Sequence, residues 1–576
     1  MTENPPPVPS DAYPGEGPSL IRRRQFLGGM AAMAGAVMLG GCSAGGGNPT
    51  ARGGRPTVRV SEWTSLGYPS PFTYVAPPGY WRMSLVFDTL TWPDSTGEQL
   101  PWLASSYTRS EDGLVYKVNL RHVNWDDGRP LTARDVVFTY GYYTSQTFTP
   151  LLVGVPRKGI DVVATGERTV EFRLDRPDAT FLQFVLGTMP IVPEHVWSKI
   201  TDPMGTFDKR VLVSTGAYSL KSRNEAQGTE LYVAKDNYFL GPPFVRRIQM
   251  LPAEDTLTAL RVGQLDGAAS NAEGARNEVL KPFRDNPKYG IISREAGFGF
   301  PLFFNIKRGG ALADLRFRRA CLHAIDREDM VKRLLTGNGG VGSQGWLPPS
   351  HAYFNPAARE YPFDRAEAER LLDEGGYRRS GRDGLRLNPD GGPLRYVLHI
   401  PDLVPQALAE LVAASLKAVG VDIDLQRIDL VRLFGTKLQA SYDLLITSYP
   451  GPSGTGPGGD PDMLRGVYHS RPPNPIHAAT GYSNPEVDRL LDAQVATYDL
   501  EERKRLVGQI QGLVAEDLPV AMLYYTTFFY VFRKDVFNQW YYTPGGFGTG
   551  FSDVYNKHPY ITGHKKGLEV RRVAEA

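Results

Sequence analysis

Cysteine is nearly absent: the 576 residues carry two, Cys42 and Cys321, too few for a disulfide framework or a thiolate zinc site. Charge of one sign is not in excess either. The 64 Lys and Arg offset 62 Asp and Glu to leave +2, without the large basic surplus that a nucleic-acid binder sets against phosphates. Hydrophobic residues make up 41% and charged residues 22%, near the soluble average, which excludes a polytopic membrane protein and wholesale disorder. Catalytic motifs are missing too. There is no Walker loop, His-Glu-x-x-His helix or Cys-x-x-Cys pair, and the nine histidines are scattered without a close ligand pair. Gly451-Pro452-Ser453-Gly454-Thr455 has Thr where a hydrolase nucleophile elbow needs its last Gly, and glycines and proline follow where that elbow needs a helix. Gly546-Phe547-Gly548-Thr549-Gly550 has no following helix to offer a phosphate. Asp126/Asp127 and Glu516/Asp517 sit at turns or helix ends, where solvation and capping employ them. These absences point away from an enzyme, a metal centre or a cofactor.

What is present begins at the N-terminus. A Pro-, Gly- and Ser-rich stretch precedes Arg22, Arg23 and Arg24, and an apolar run follows from Phe26 to Gly41. That run is shorter than the roughly 20 residues a spanning helix needs, and it matches a signal-peptide core behind a positive region. Arg23-Arg24-Gln25-Phe26-Leu27 resembles the twin-arginine export motif, with Arg22 and Gly28 departing from its usual pattern, so general secretion stays open beside it. Leu39-Gly40-Gly41-Cys42 resembles a bacterial lipobox, which makes Cys42 the retained lipidation site and residues 1–42 the signal-peptide and lipobox segment. Several acyl chains on one cysteine meet the requirement of more than one lipid signal for stable anchoring. The Gly-rich stretch 43–57 then reads as a tether.

The remaining length suits two to four packed units at roughly 100–200 residues each. Val115 to Arg121 alternates, with Tyr116, Val118 and Leu120 on one face, and Val170, Phe172 and Leu174 alternate likewise, which predicts half-buried antiparallel strands. Asp126-Asp127-Gly128-Arg129-Pro130 is a turn between them. Thr132 with Asp135 resembles a capping box, followed by a helix burying Val136, Val137 and Tyr140. The second half is more regularly α/β. Asp364 caps a helix with Ala368, Leu371 and Leu372 inward and Gly375-Gly376 at its end. Residues 405–419 repeat the helical spacing before Gly420, then Val421, Ile423 and Leu425 alternate, and 443–447 forms a strand leading into the loop 448–462. Asn484-Pro485-Glu486 opens another helix.

Several stretches together resemble the extracytoplasmic solute-binding proteins of the oligopeptide/dipeptide/nickel family that serve ABC importers. The longest is Leu103-Ala104-Ser105-Ser106-Tyr107, then Glu111-Asp112-Gly113, Leu120-Arg121, and the run from Trp125 to Val137. Ser214-Thr215-Gly216-Ala217-Tyr218, Gly263-Gln264-Leu265-Asp266, Asn305-Ile306-Lys307, Ala324-Ile325-Asp326-Arg327, Leu371 to Tyr377 and Asp517-Leu518-Pro519-Val520 are similar to further family motifs. The resemblance implies an α/β, two-lobe periplasmic-binding-protein-like fold of type II, in the large class with an inserted subdomain. It divides the chain into a first lobe from 58–95, with 96–205 inserted and 206–300 completing it. A second lobe takes 301–518, and 519–576 returns to the first. The lobes close on a small solute by a hinge near 300 and 520, and the closed form docks on an ABC permease and ATPase complex. It further implies a monomer outside the cell, held at the membrane by lipid, with no nucleic-acid partner.

Solutes of open α/β sheets sit beyond the carboxyl ends of strands, which directs attention to Tyr449, Pro450 and Gly451, and to Trp63 and Tyr68. Trp346, in the loop 342–346, is a further candidate, because such aromatics stack on a sugar or cover a peptide backbone. Peptide binders of the resembled family place an aspartate soon after that strand. Here no acid follows until Asp460 and Asp462, which brace the loop in the family's Asp-Pro-Asp element. An oligosaccharide therefore stands beside a peptide as the solute.

Overall fold

The computed structural model describes residues 56–61, 67–74, 76–145, 159–269, 277–380, 384–402, 404–429, 441–450, 460–471, 480–542 and 557–569. Arg23, Arg24, Phe26, Leu27 and Cys42, residues 43–55 of the tether, Trp63, Gly451 with the rest of its Gly-rich run, and Gly546 to Gly550 lie outside them.

The alternating segments form strands Val115–Leu120 and Thr169–Arg173, antiparallel with Val115 opposite Arg173. They are the centre of a four-stranded sheet flanked by Ala104–Arg109 and Asp161–Gly166. Val118, Val170 and Phe172 are fully buried, because period-two alternation puts every second side chain against the same core. Helix Ala133–Ser145 begins where expected: the Asp135 carboxylate accepts the backbone N–H of Thr132 at 2.9 Å. Its buried stripe is Val136, Thr139, Tyr140 and Tyr143, and Val137 is only half-buried, since the 3.6-residue period turns it off the stripe.

Strands Arg395–Pro401 and Asp422–Ile428 run parallel, joined by helix Gln406–Ala418 as a βαβ unit. Leu408, Val412 and Leu416 form the buried stripe of that helix. Asp364 caps helix Arg365–Glu374 by accepting the N–H of Glu367 at 2.9 Å. Asn484 caps Pro485–Ala496 through the N–H groups of Glu486 and Val487. Each cap satisfies donors that the helix itself leaves unbonded.

Among the described residues one sheet gathers twelve strands, and two long ones tie it together: Tyr289–Phe304 and Val520–Arg533, antiparallel from Tyr289↔Arg533 to Phe303↔Val520. Strand Gly267–Ala269 joins the second long strand at Tyr530 to Phe532 and leads to Thr57–Val60, Arg247–Met250, Thr229–Ala234 and Tyr218–Asn224. At the other end Leu444–Ile446 joins the first long strand at Leu302 to Phe304 and leads to the parallel βαβ strands. The pairing of the long strands shifts register between these regions, between Arg294 and Phe298 and between Gly299 and Pro301.

Packing divides at the same place. One hydrophobic cluster joins Val58, Ile248, Tyr530, Trp540 and Tyr560 to the inserted-sheet residues Val118 and Phe172, and a smaller one holds Leu260, Leu280, Phe529 and Val531. Two others contain Phe300, Leu302, Leu398, Ala521 and Leu523 on one face, and Phe303, Leu445, Met522 and Tyr525 on the opposite face. Along the first long strand the packing changes cluster between Ile292 and Phe298, and along the second between Tyr525 and Phe529. Residues 520–525 send their side chains into the two clusters around Leu523 and Tyr525.

Candidate functional site

The end of strand Leu444–Ile446 continues through Tyr449–Pro450, which pairs antiparallel with Gly299 and Phe298. Two of the predicted site residues, Tyr449 and Pro450, therefore lie at the crossing between lobes, on the second-lobe side. The crossing carries its own aromatic contact, the rings of Phe298 and Phe528 lying edge-on at 5.3 Å. A buried cation stands there too. Arg294 is 8% exposed, and burial lowers its pKa to about 10 against the opposing influence of Tyr542. Nothing in the composition marked Arg294; its strand position, opposite Phe528 at the register break, singles it out.

Trp346 lies in the second lobe at 3% exposure, packed edge-on against Phe303 and Tyr468 at 6.5 and 5.9 Å. Its φ is +75°, a left-handed conformation that costs a bulky L-residue energy. The surroundings impose it. Tyr525 Oη donates to the Trp346 carbonyl at 2.6 Å. The Gln344 side chain imitates a strand residue, donating to the Met522 carbonyl at 3.1 Å and accepting the Met522 N–H at 3.2 Å. Gly342 is required beside it, because a Cβ there would lie 2.3 Å from the Met522 oxygen. Arg327 pins the same turn by donating to the carbonyls of Gly342 and Tyr361. Gly342 and Gln344 belong to the loop that carries Trp346, and Arg327 to the Ala324-Ile325-Asp326-Arg327 motif, but none of the bracing residues was an expected site residue.

Tyr68 belongs to the first lobe. It is 7% exposed, with Phe207 edge-on at 6.4 Å and the Arg223 guanidinium 5.6 Å from its ring centre. Burial raises its phenol pKa, and Arg223 works against that. Arg82 and Arg223 both reach Glu230, at 3.0 and 3.1 Å, and both donate to the carbonyl of Gly67, tying the segment that carries Tyr68 to its lobe. Tyr68 and Trp346 sit in different hydrophobic clusters, so the fold does not bring these two candidates into one core.

After the loop, Asp460 is held in a two-pronged ion pair with Arg503 at 2.6 and 2.8 Å, both side chains under a tenth exposed. Burial disfavours the charge on Arg503, but Asp460 outweighs it and the guanidinium pKa is raised. Asp462 accepts from Arg465 at 2.6 Å and from Gln494 at 2.8 Å. Both carboxylates are thus spent on bracing the loop's exit, the role expected of them. Among the described residues no group of three or more His, Cys, Asp or Glu could hold a metal ion, and no helix is long and apolar enough to cross a membrane.

Two packing regions thus share one sheet through two long strands that shift register between them. The profile of the bacterial extracellular solute-binding proteins, family 5 Middle, matches residues 98–471. The chain belongs to this family. It is 30% identical over 519 residues to protein XP55 of Streptomyces lividans, covering 87% of this chain and 90% of that one. The oligopeptide-binding protein AppA of Bacillus subtilis is 25% identical over 435 residues, 73% of this chain and 77% of its own. The structure of that AppA with a nonapeptide superposes with a TM-score of 0.70 over 87% of this chain and 98% of that one, at 21% identity. NikA of Brucella suis in complex with Fe(III)-EDTA superposes at 0.72, covering 86% and 99%, at 22% identity. The family 5 chain is accordingly a two-lobe solute-binding protein of the ABC-importer class, working outside the cytoplasm, and not an enzyme.

Proposed function

We propose that this family 5 protein is the lipid-anchored, monomeric solute-binding subunit of an ABC importer, capturing a peptide or peptide-sized solute by lobe closure and delivering it to the permease. The observation that carries the reading is the shift of register between the two long strands at the boundary of two cores. A register shift locally bends and twists a strand, which favours bending between Arg294 and Phe298 and at the facing residues 526–528. Closure costs no bond-making; a solute that binds both lobes shifts the population to the closed form. Tyr449, Pro450 and Gly451, Trp63, Tyr68 and Trp346 are the proposed solute contacts, and Cys42 the lipidated residue.

A second reading, an oligosaccharide or other non-peptide solute, rests on a specific observation. The loop after Tyr449 offers no acid before Asp460, and Asp460 and Asp462 are occupied by Arg503, Arg465 and Gln494. A peptide's amino terminus would have to find its counter-charge elsewhere. Thermal melts against di- to pentapeptide and oligosaccharide libraries separate the two, because a binder gains RT ln(1 + [L]/Kd). A shift with peptides supports the first reading. No shift with any peptide and one with a sugar replaces it with the second.

A further inference from the structure

The two lobes meet at a second place, separate in sequence from the crossing strands. Tyr498 stands on the turn between helices Pro485–Ala496 and Leu500–Asp517, whose inner faces belong to the second-lobe cluster around Phe303 and Met522. Its ring enters a socket built by the inserted subdomain. The phenol oxygen accepts the backbone N–H of Asp178 at 3.1 Å, lies 3.1 Å from the hydroxyl of Tyr116, and donates to the carbonyl of Gly113 at 3.2 Å. The Arg109 guanidinium covers the ring face 3.6 Å from its centre. Beside it the N–H of Ala179 donates to the carbonyl of Val495 at 2.7 Å, and Asp178 and Arg465 face one another electrostatically across the same boundary.

The socket is shaped for this one ring. Gly113, in the tight turn between Ala104–Arg109 and Val115–Leu120, has φ of +73°, and a Cβ there would sit 2.4 Å from the Tyr498 ring. The socket moves with the first lobe, because Tyr116, Val118 and Phe172 share one continuous cluster with Val58, Tyr530 and Tyr560. Tyr498, on the turn joining two helices packed in the other cluster, moves with the second. A rotation about 295–297 and 526–528 would pull the phenol out of its socket.

We propose that Tyr498 is a latch: a positioning residue, remote from the proposed solute contacts, whose insertion between Gly113, Tyr116 and Asp178 stabilises the closed arrangement of the lobes. The proposal deepens the lobe-closure reading above, and supplies a way to set solute affinity without touching the solute. Three hydrogen bonds and a cation–aromatic contact formed only on closure multiply the closed-to-open ratio. Closed population in turn scales the apparent affinity.

The test uses the full chain carrying Cys42→Ser, with spin labels on Lys117→Cys in the subdomain and Gln509→Cys in the second lobe; Cys321 is buried and stays unlabelled. The distance distribution is recorded without solute. Tyr498→Ala is expected to lower the ratio of short to long label distances by roughly tenfold or more. Tyr498→Phe, which keeps the ring and loses its hydroxyl, should fall between them and guards against a folding defect in the alanine variant. A distribution unchanged in both variants overturns the latch, even if the melting temperature drops, since a merely structural contact would move stability alone. A peptide that binds the parent chain should bind Tyr498→Ala about tenfold more weakly, through faster release. If no peptide binds either chain, the peptide reading fails while the label distances still decide the latch.

Discussion

Individual side chains reveal where this molecule spends stability. Lys557 and Asp88 form an ion pair at 2.7 Å with both side chains at 0% exposure. Every polar partner is supplied: Lys557 also donates to the carbonyls of Ser84 and Phe87, and Asp88 accepts from Trp102, Tyr238 and Thr215. Lys557→Met would strand the carboxylate in the core, and chemical denaturation is expected to report a loss of about 3–5 kcal/mol. Its neighbour His558 gives a pH dependence. Burial lowers its pKa to about 4, so between pH 6.5 and 4 the unfolded chain takes up a proton that the folded chain refuses. Stability from this group is full above pH 6.5 and falls as the pH drops towards 4, by an amount on the order of 3 kcal/mol. Thermal melts of His558→Gln should lose that part of the slope; an unchanged slope would refute the assignment. At Trp346 the strain is separable from the ring. Trp346→Gly and Trp346→Ala both lose the packing on Phe303 and Tyr468, but glycine accepts a φ of +75° and alanine does not. The glycine variant should therefore be the more stable of the two by about 1 kcal/mol in denaturant titrations.

At the scale of elements, local chemistry and outcome agree wherever the signal is periodic or capped. Val115–Leu120, Thr169–Arg173, Arg365–Glu374 and Gln406–Ala418 all stand where alternation or helical spacing put them. The Asp364 cap makes this testable: Asp364→Ala should cost about 1 kcal/mol, read as a lowered denaturant midpoint, and Asp364→Ser should restore most of it. Agreement fails where neighbours decide. The long strand Val520–Arg533 is almost wholly buried, so no alternation marks that its first half serves one lobe and its second half the other. The loop at Gly342 to Trp346 stood out, but its strand-like bonding did not, because the group that makes it is a glutamine side chain bonding to Met522, 178 residues away.

For the whole molecule, the proposed anchor and export route lie outside the described residues and are accessible to experiment. Cys42→Ser should abolish incorporation of labelled palmitate and release the protein from the membrane fraction. Changing both Arg23 and Arg24 to Lys should stop export by the twin-arginine route; unaffected export would assign general secretion instead. Sequence alone pointed to the family and raised the bracing of the loop by Asp460 and Asp462, since motifs, turns and caps are written in neighbouring residues. It also placed Tyr449 and Pro450 on the list of site candidates. Only the tertiary structure decided that those two pair with Gly299 and Phe298 where the packing changes cluster, that Tyr525 packs with Phe303 and Met522, and that Tyr498 meets Gly113 and Asp178. Those facts depend on which distant segments share a core and where a strand pair loses register, and neither is encoded within any short stretch of chain.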